Sequence, residues 1–312
     1  ANALALDLSA VPAPPREPGV HSLEIPLEEL VGLIDWTPFF RTWELPGRYP
    51  ALLESERVGP QARELFADAQ RMLKELIVGR RLQAKAVVGL FPASRRGDDI
   101  VLWSSDRGRE IDAICTLRQQ GTKSSGRPNV ALADFIASED SGLEDWLGAF
   151  VVTAGLGLQA IVDEYEAAHD DYSAILAKSL ADRLAEASAE WLHRKTRTEL
   201  WGYASDEALD NDGLIAESYQ GIRPAPGYPA SPDHTVKAQI FSLLEASEST
   251  GATLTESMAM LPAASVSGLY FAHPQAHYFG VGKVGADQVE DFASRKGWSV
   301  EQARRWLSAN LA

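Results

Sequence analysis

The stretch Lys85–Trp103, KAVVGLFPASRRGDDIVLW, decides the fold class of this 312-residue chain. Residues 85–92 and 99–103 are rich in valine, isoleucine and aromatic residues, which predicts two strands. The intervening residues 93–98, ASRRGD, are typical of a turn, so the two strands are expected to form a hairpin. Since a hairpin pairs its strands antiparallel, this segment indicates an antiparallel sheet.

Strands and helices elsewhere in the chain agree with this interpretation. A third strand is predicted at 147–153, and a second hairpin is predicted with strands at 267–272 and 278–283. Apolar periodicity predicts helices over 60–77 and 171–200. Because strands occur in hairpins rather than in regular alternation with helices, we expect an α+β fold and not a doubly wound sheet.

The composition excludes several classes of protein. The chain carries 29 basic and 44 acidic residues, a formal net charge of −15, and such a surface repels phosphate backbones and anionic membranes. Its single cysteine, Cys115, rules out an intrachain disulfide and a cysteine-rich metal site, which suits a reducing cytoplasm. Apolar runs fall far short of the roughly 20 residues that a membrane span needs.

The N-terminal region has a composition of its own. Residues 11–19, VPAPPREPG, contain four prolines and one glycine, which is typical of an extended segment. It is either a tether to an upstream module or an arm that packs on its own domain. We therefore expect a linker or arm over residues 1–24 and a single domain over 25–312.

One glycine motif resembles a nucleotide-binding fingerprint. Residues 155–160, GLGLQA, match G-x-G-x-x-A between a predicted strand and a helical pattern. A dinucleotide site also needs a parallel strand about 30 residues on that ends in an acidic residue. Residues 171–200 are instead one long helical pattern, so a tight strand-to-helix turn is the preferred interpretation.

The most unusual segment is 221–232, GIRPAPGYPASP. Each proline fixes its own φ and favours extended backbone at the residue before it, here Arg223, Ala225, Tyr228 and Ser231. Such a loop is ordered before a ligand arrives, so that binding costs little entropy. Arg223 could clamp a carboxylate, and Tyr228 offers a flat face and a hydroxyl. From composition alone, a proline-stiffened surface loop without a ligand is the preferred interpretation.

The block YQGIRPAPGYPASPDHT at 219–235 resembles the S-adenosylmethionine-binding loop in the activation domain of cobalamin-dependent methionine synthases. Other blocks of the chain agree with that family in order and spacing from about residue 25 to the end. They include IDWTPFF at 34–40, VVGLFPA at 87–93, LRQQ at 117–120, HDDY at 169–172, WGYA at 201–204 and DQVEDFASRKG at 287–297.

The resemblance implies a single C-shaped α+β domain with a twisted antiparallel sheet and flanking helices. It implies an activation module, part of a methyltransferase, that presents the methyl group of S-adenosylmethionine for reductive methylation of inactive cob(II)alamin. The cobalamin would be bound by a separate module, and flavodoxin or an equivalent reductase would supply an electron. The isolated domain is expected to be a cytoplasmic monomer that turns nothing over alone.

Two alternatives remain open at this point. The chain could be a free-standing protein that reactivates a corrinoid enzyme in trans, rather than an excised part of a longer enzyme. It could also be a docking domain that no longer binds the ligand. Intact Arg223, Tyr228 and Asp35 argue against the second alternative.

Residue roles follow from the resemblance only where the motifs match. Arg223 is expected to pair with the ligand carboxylate, and Ala225 to contact the adenosyl part through its backbone. Tyr228 is expected to lie beside the ligand and face the corrin of the cobalamin module. Tyr278 resembles the family's tyrosine at the adenosyl moiety, whereas Phe279 stands where a second tyrosine is common.

Acidic residues complete the expected site. Asp35 resembles the family's acidic ligand contact, and Glu186 and Glu217 are weaker candidates for the ligand's ammonium group. Asp182 is a candidate contact to the cobalamin module. Asp182, Glu186 and Glu190 are spaced four residues apart, which is typical of a solvated helix face, and we expect Glu190 to be part of that face.

No metal site and no catalytic acid or base is predicted. No ligand pair of histidines lies on a recognisable helix, since His273 and His277 flank the predicted hairpin turn, where ordinary turn hydrogen bonding is the preferred interpretation. A sulfonium methyl group is already activated for transfer. The histidines are His21, His169, His193, His234, His273 and His277.

Overall fold

The computed structural model of the chain describes residues 2–121, 123 and 126–312. Eight strands are present in this part of the chain. Six form the main sheet and two form a small separate hairpin. In chain order they are β1 (Gly19–Ile25), β2 (Gln83–Arg96), β3 (Asp99–Trp103), β4 (Glu110–Cys115), β5 (Asp145–Leu156), β6 (Thr253–Leu254), β7 (Met260–Leu261) and β8 (Ser265–Tyr270).

Ten α-helices surround the sheet within the described residues. None of them is both long enough and apolar enough to span a membrane. They are α1 (Leu27–Val31), α2 (Trp36–Thr42), α3 (Gly59–Val78), α4 (Leu158–Ala167), α5 (Asp171–Lys195), α6 (Asn211–Ile215), α7 (Val236–Leu243), α8 (Ala246–Thr250), α9 (Ala286–Lys296) and α10 (Val300–Trp306).

The main sheet confirms the antiparallel prediction. Its order is β4-β3-β2-β5-β8, and every pair of named strands is antiparallel. One edge of the long strand β2 pairs with β5, while β1 and β3 share the other edge. The predicted hairpin is β2 and β3, with Ala93 opposite Leu102 and Arg96 opposite Asp99. The fold class is therefore α+β, as the sequence predicts.

Helices cover both faces of the sheet, which explains the continuous apolar runs in β2 and β5. Because side chains alternate along a strand, Val88 and Phe150 enter the core beneath α1, α2, α3 and α5. Val87 and Val151 enter a second core beneath α7 and α8. Helix α5 packs directly on β5 and β8, and the stacking of His193 on Tyr270 places the C-terminal end of α5 against the edge strand β8.

The second predicted hairpin is wrong. Strand β8 pairs with β5, and residues 278–283 form no strand. The backbone of this segment instead runs beside the proline-rich loop, where the N–H of Val281 donates to Pro229 O at 2.8 Å. A regular ladder cannot form there because the prolines of the loop have no N–H to donate.

The GLGLQA motif is a strand-to-helix turn, as preferred from the sequence. Gly157 has φ +91°, and a Cβ at this position would lie 2.3 Å from Arg81 O, so glycine is required. Helices α4 and α5 follow in succession, with no strand between them. The parallel strand that a dinucleotide-binding unit needs is therefore missing from the described residues.

The N-terminal arm packs on the domain. The Trp201 indole Nε1–H donates to Ala13 O at 3.0 Å, and the Glu17 N–H donates to Leu200 O at 2.9 Å. Strand β1 then begins at Gly19, so the sheet starts within the segment that was expected to be linker or arm. These contacts make the arm part of the folded unit in this structure.

Candidate functional site

The proline-rich loop extends the main sheet at the edge of β8 that β5 leaves free. Ile222 and Phe271 exchange both backbone hydrogen bonds at 3.0 Å, and Pro224 O accepts from Leu269 N at 3.0 Å. The loop is thus extended as its prolines predict, and its direction is fixed by the sheet. Helix α5 and the loop form two walls, with the end of the sheet between them.

A tight turn ends the extended part of the loop. Gly227 adopts φ +93°, and a Cβ there would lie 2.2 Å from the His234 ring. The Gly227 N–H donates to Ser231 O at 2.7 Å, and the Ser231 N–H donates to Tyr228 O at 2.9 Å. This turn holds Tyr228 outward with 64% of its surface exposed, which is unusual for an aromatic side chain on a rigid loop.

A cleft of about 620 Å³ lies between this loop, the sheet and α5. Its volume falls within the roughly 300–1,000 Å³ typical of small-molecule sites. The cleft brings together seven of the eight residues that the sequence predicted to bind ligand. Its lining consists of Phe150, Glu186, Glu217, Arg223, Pro224, Ala225, Tyr228, Pro229, Ala230, Val266, Tyr278 and Phe279.

Asp35, the eighth predicted residue, lies in an adjoining cavity of about 390 Å³ that shares Arg223, Glu186 and Glu217 with the cleft. It is the N-cap of α2, and its Oδ1 accepts from the Thr37 N–H at 2.9 Å. One carboxylate oxygen is thus used by the helix. The two cavities therefore have three charged side chains in common.

The guanidinium of Arg223 is already partnered on one side. Its Nη1 lies 2.7 Å from Glu190 Oε2, 2.6 Å from Tyr219 Oη and 3.2 Å from His193 Nδ1. The prediction that Glu190 is on a solvated face is wrong, because Glu190 is only 7% exposed. All of residues 187–193 are buried, so this part of α5 has no solvated face.

A stack of aromatic rings supports Arg223 from below. The His193 ring stacks on Tyr270 at 4.7 Å, and Tyr270 stacks on Phe150 at 4.5 Å. Burial, together with the charges of Arg197 and Arg223, holds the pKa of His193 well below its ordinary value of 6.5. His193 is therefore neutral at neutral pH, and its Nδ1 can accept a hydrogen bond from Arg223.

A second buried arginine completes the layer beneath the cleft. Arg197 donates from Nε and Nη2 to the two carboxylate oxygens of Glu207, both at 2.6 Å, and its guanidinium lies 3.9 Å from the centre of the Tyr219 ring. Glu190 Oε1 is 3.6 Å from Arg197 Nη2. Sequence analysis missed this layer, because its members come from three separate segments that only the fold brings together.

The acidic residues of the cleft differ in their surroundings. Partial enclosure by the cleft raises the pKa of Glu186, the nearby Asp182 charge raises it further, and the Arg183 charge opposes both. Glu217 follows α6 with φ +53°, a left-handed conformation that is uncommon for glutamate. The side chain of Asp182 is 57% exposed and pairs with Arg183 at 2.6 Å. Asp182 therefore lies on the accessible rim near Glu186.

Two aromatic residues close the opposite side of the cleft. The Tyr278 hydroxyl accepts from the backbone N–H of Arg223 at 3.1 Å, and burial raises the pKa of this tyrosine. Phe279 packs edge-on against Phe135 with 6.2 Å between ring centres. Phe279 thus provides apolar surface where a tyrosine would also provide a hydroxyl. Within the described residues, no group of three His, Cys, Asp or Glu side chains could hold a metal ion.

The shape and charges of this cleft suit a small zwitterionic molecule with an aromatic or apolar part. One cation and two carboxylates border a cleft whose remaining lining is mostly apolar.

The vitamin B12-dependent methionine synthase activation domain family matches residues 26–297. A crystal structure of the MetH reactivation domain bound to AdoHcy is 52% identical, with a TM-score of 0.97, and the match covers 100% of this chain and 96% of that one. The chain belongs to the family of activation domains of vitamin B12-dependent methionine synthases.

Proposed function

We propose that the cleft binds S-adenosylmethionine and holds its methyl group where a docked cobalamin module can receive it. The observation that carries this proposal is the loop of Arg223–Tyr228, which backbone hydrogen bonds of Ile222 and Pro224 hold beside the edge of β8. The related MetH reactivation domain was crystallised with AdoHcy, the demethylated form of this ligand. Membership of the family supports the same ligand class here.

Each part of the ligand has a complementary group in the cleft. Arg223 would pair with the ligand carboxylate, and Glu186 and Glu217 would face its ammonium group, since all three line one cleft. Asp35 would reach a ribose hydroxyl or the ammonium from the adjoining cavity. These assignments place a positive side chain beside the ligand carboxylate and negative side chains beside its ammonium group.

The adenosyl part would lie against the loop. The N–H of Ala225 donates to no other described residue, so it is available to a ligand acceptor. Tyr278 and Phe279 would cover the adenosyl rings from the opposite side. Tyr228 is exposed at the mouth of the cleft, where it could contact both the ligand and an arriving corrin, and Asp182 would meet the cobalamin module on the rim.

The contribution of this chain would be positioning rather than acid–base catalysis. A cobalamin bound to its own module, reduced by one electron from a reductase such as flavodoxin, would supply the nucleophile for the sulfonium methyl group, and S-adenosylhomocysteine would leave. A rigid cleft that holds the methyl group in line replaces a random encounter, an effect worth several kcal/mol. The isolated chain, a cytoplasmic monomer under this proposal, would not turn over alone.

Calorimetric titration of S-adenosylmethionine tests the proposal. We expect saturable binding to the wild-type chain, and a loss of about 2 kcal/mol, or roughly 30-fold in Kd, for Arg223→Ala, because a charge-assisted clamp is removed. Glu166→Ala is the matched control, since Glu166 pairs with Lys178 on the surface, away from the cleft. Binding that Arg223→Ala leaves unchanged would overturn the site assignment, and no binding would favour a docking domain.

A further inference from the structure

The partners of Arg223 occupy only one of its guanidinium nitrogens. Glu190, Tyr219 and His193 all contact Nη1, at 2.7, 2.6 and 3.2 Å. Among the described residues, neither Nε nor Nη2 of Arg223 has a hydrogen-bond partner, and neither is a buried unpaired atom. The edge of the guanidinium formed by Nε and Nη2 is therefore both free and accessible.

A carboxylate binds arginine best through two parallel hydrogen bonds, which require two adjacent N–H groups on one edge of the guanidinium. An arginine without fixed partners rotates about several side-chain bonds, and fixing it on binding costs side-chain entropy. Glu190 removes this cost, because a buried carboxylate holds Nη1 in place before the ligand arrives. The rigid helix α5, buried over residues 187–193, holds Glu190 in turn.

We infer that Glu190 is a positioning residue: it fixes Nη1 of Arg223 so that the Nε and Nη2 edge points at the ligand carboxylate. This inference rests on the proposed function, since it assumes that the carboxylate binds Arg223. Tyr219 acts with Glu190, because its hydroxyl accepts from the same nitrogen. Glu190 would therefore affect binding only of ligands that carry the amino-acid end.

The test compares two ligands on the full chain by calorimetry. S-adenosylhomocysteine carries the carboxylate, whereas 5′-methylthioadenosine shares its adenosyl thioether and lacks the amino-acid end. We expect Glu190→Ala to weaken S-adenosylhomocysteine at least tenfold and to change 5′-methylthioadenosine less than twofold. Glu190→Gln keeps the size of the side chain but removes its charge, so it should weaken S-adenosylhomocysteine as Glu190→Ala does, because Glu190 holds Nη1 through an ion pair at 2.7 Å.

A second variant keeps the inference testable if Glu190→Ala does not fold. Arg223→Lys retains a cation for Glu190 and Tyr219, but its single ammonium leaves no free edge for the ligand. We expect Arg223→Lys to lose as much affinity for S-adenosylhomocysteine as Arg223→Ala does. Wild-type affinity in Arg223→Lys would overturn the inference.

Failure of this inference and failure of the proposed function give different results. If Arg223→Ala weakens S-adenosylhomocysteine but Glu190→Ala does not, the ligand site stands and the positioning role is wrong. An equal loss for both ligands in Glu190→Ala would also overturn it, since that pattern marks general damage to the cleft. If Arg223→Ala has no effect, the carboxylate site itself is wrong.

Discussion

Two buried charge clusters in this domain differ in how completely they are hydrogen-bonded. Away from the cleft, Asp134 is fully buried and accepts from Arg95 Nη1 at 2.9 Å, Arg118 Nη2 at 2.8 Å and Ala131 N at 3.1 Å. Arg118 also donates to Asp98 Oδ1, at 2.6 Å from Nη2. Both oxygens of the buried carboxylate are thus satisfied by protein groups.

The cluster beneath the cleft has hydrogen-bonding capacity left over. Four of its buried atoms have no hydrogen-bond partner: Glu190 Oε1, His193 Nε2, Arg197 Nη1 and Tyr270 Oη. An unsatisfied buried polar group costs about 1–3 kcal/mol, a cost that the Asp134 carboxylate avoids through its protein partners. The comparison suggests that the Asp134 cluster serves the architecture, whereas the cluster beneath the cleft serves the site.

The largest expected effect tests the structural cluster. Asp134→Ala leaves Arg95 and Arg118 without their buried partner, and we expect a loss of about 3–5 kcal/mol in the free energy of unfolding. Urea denaturation measures this loss. If the comparison is right, the folded fraction of the variant binds S-adenosylhomocysteine with wild-type affinity. Weakened binding without destabilisation would reverse the two roles.

The next prediction uses the pH dependence of His193. Its pKa is lowered in the folded state, so below about pH 6.5 the unfolded chain binds a proton at this residue that the folded chain does not. Titration of His193 therefore costs no free energy of unfolding above pH 6.5. Below pH 6.5 it lowers the free energy of unfolding by about 1.4 kcal/mol for each pH unit. Burial raises the pKa of Asp145 to about 6. The contribution of Asp145 to the free energy of unfolding therefore decreases as the pH rises from about 4 to 6, opposite to that of His193.

Comparison of wild type with His193→Gln isolates the histidine, since Asp145 and the other titrating groups are common to both chains. Urea denaturation at several pH values from about 5 to 7.5 gives the free energy of unfolding of each chain. The value for wild type minus the value for the variant should fall by about 1.4 kcal/mol for each pH unit below 6.5. Parallel profiles would show that His193 is not held neutral by its surroundings.

The smallest expected effect concerns Glu217 at the edge of the cleft. Its left-handed backbone is strained for glutamate but relaxed for glycine. The relief of this strain is partly offset because glycine is more flexible in the unfolded chain. We therefore expect Glu217→Gly to raise the free energy of unfolding by about 0.5–1 kcal/mol. The same change should weaken ligand binding in calorimetry. A variant that is less stable would show that this backbone carries no strain.

Local patterns in the sequence predicted much of the fold. The β2–β3 hairpin, helix α3 and the helix that begins at Asp171 follow from alternation, apolar periodicity and turn composition. The strand predicted at 278–283 does not form, although its composition suits a strand. Pairing depends on an available partner edge, and the proline loop already occupies the free edge of β8.

The stiff loop and the residue types that the cleft needs can be predicted from the amino-acid sequence. Proline and glycine act on their own backbone, so the extended course of Arg223–Tyr228 and the turn at Gly227 are local properties. Tertiary structure alone decided that Glu190 is a buried partner of Arg223. Its spacing on α5 matches a solvated face, and only the packing of that helix against the sheet, with Tyr219 and Arg223 alongside, removes the solvent.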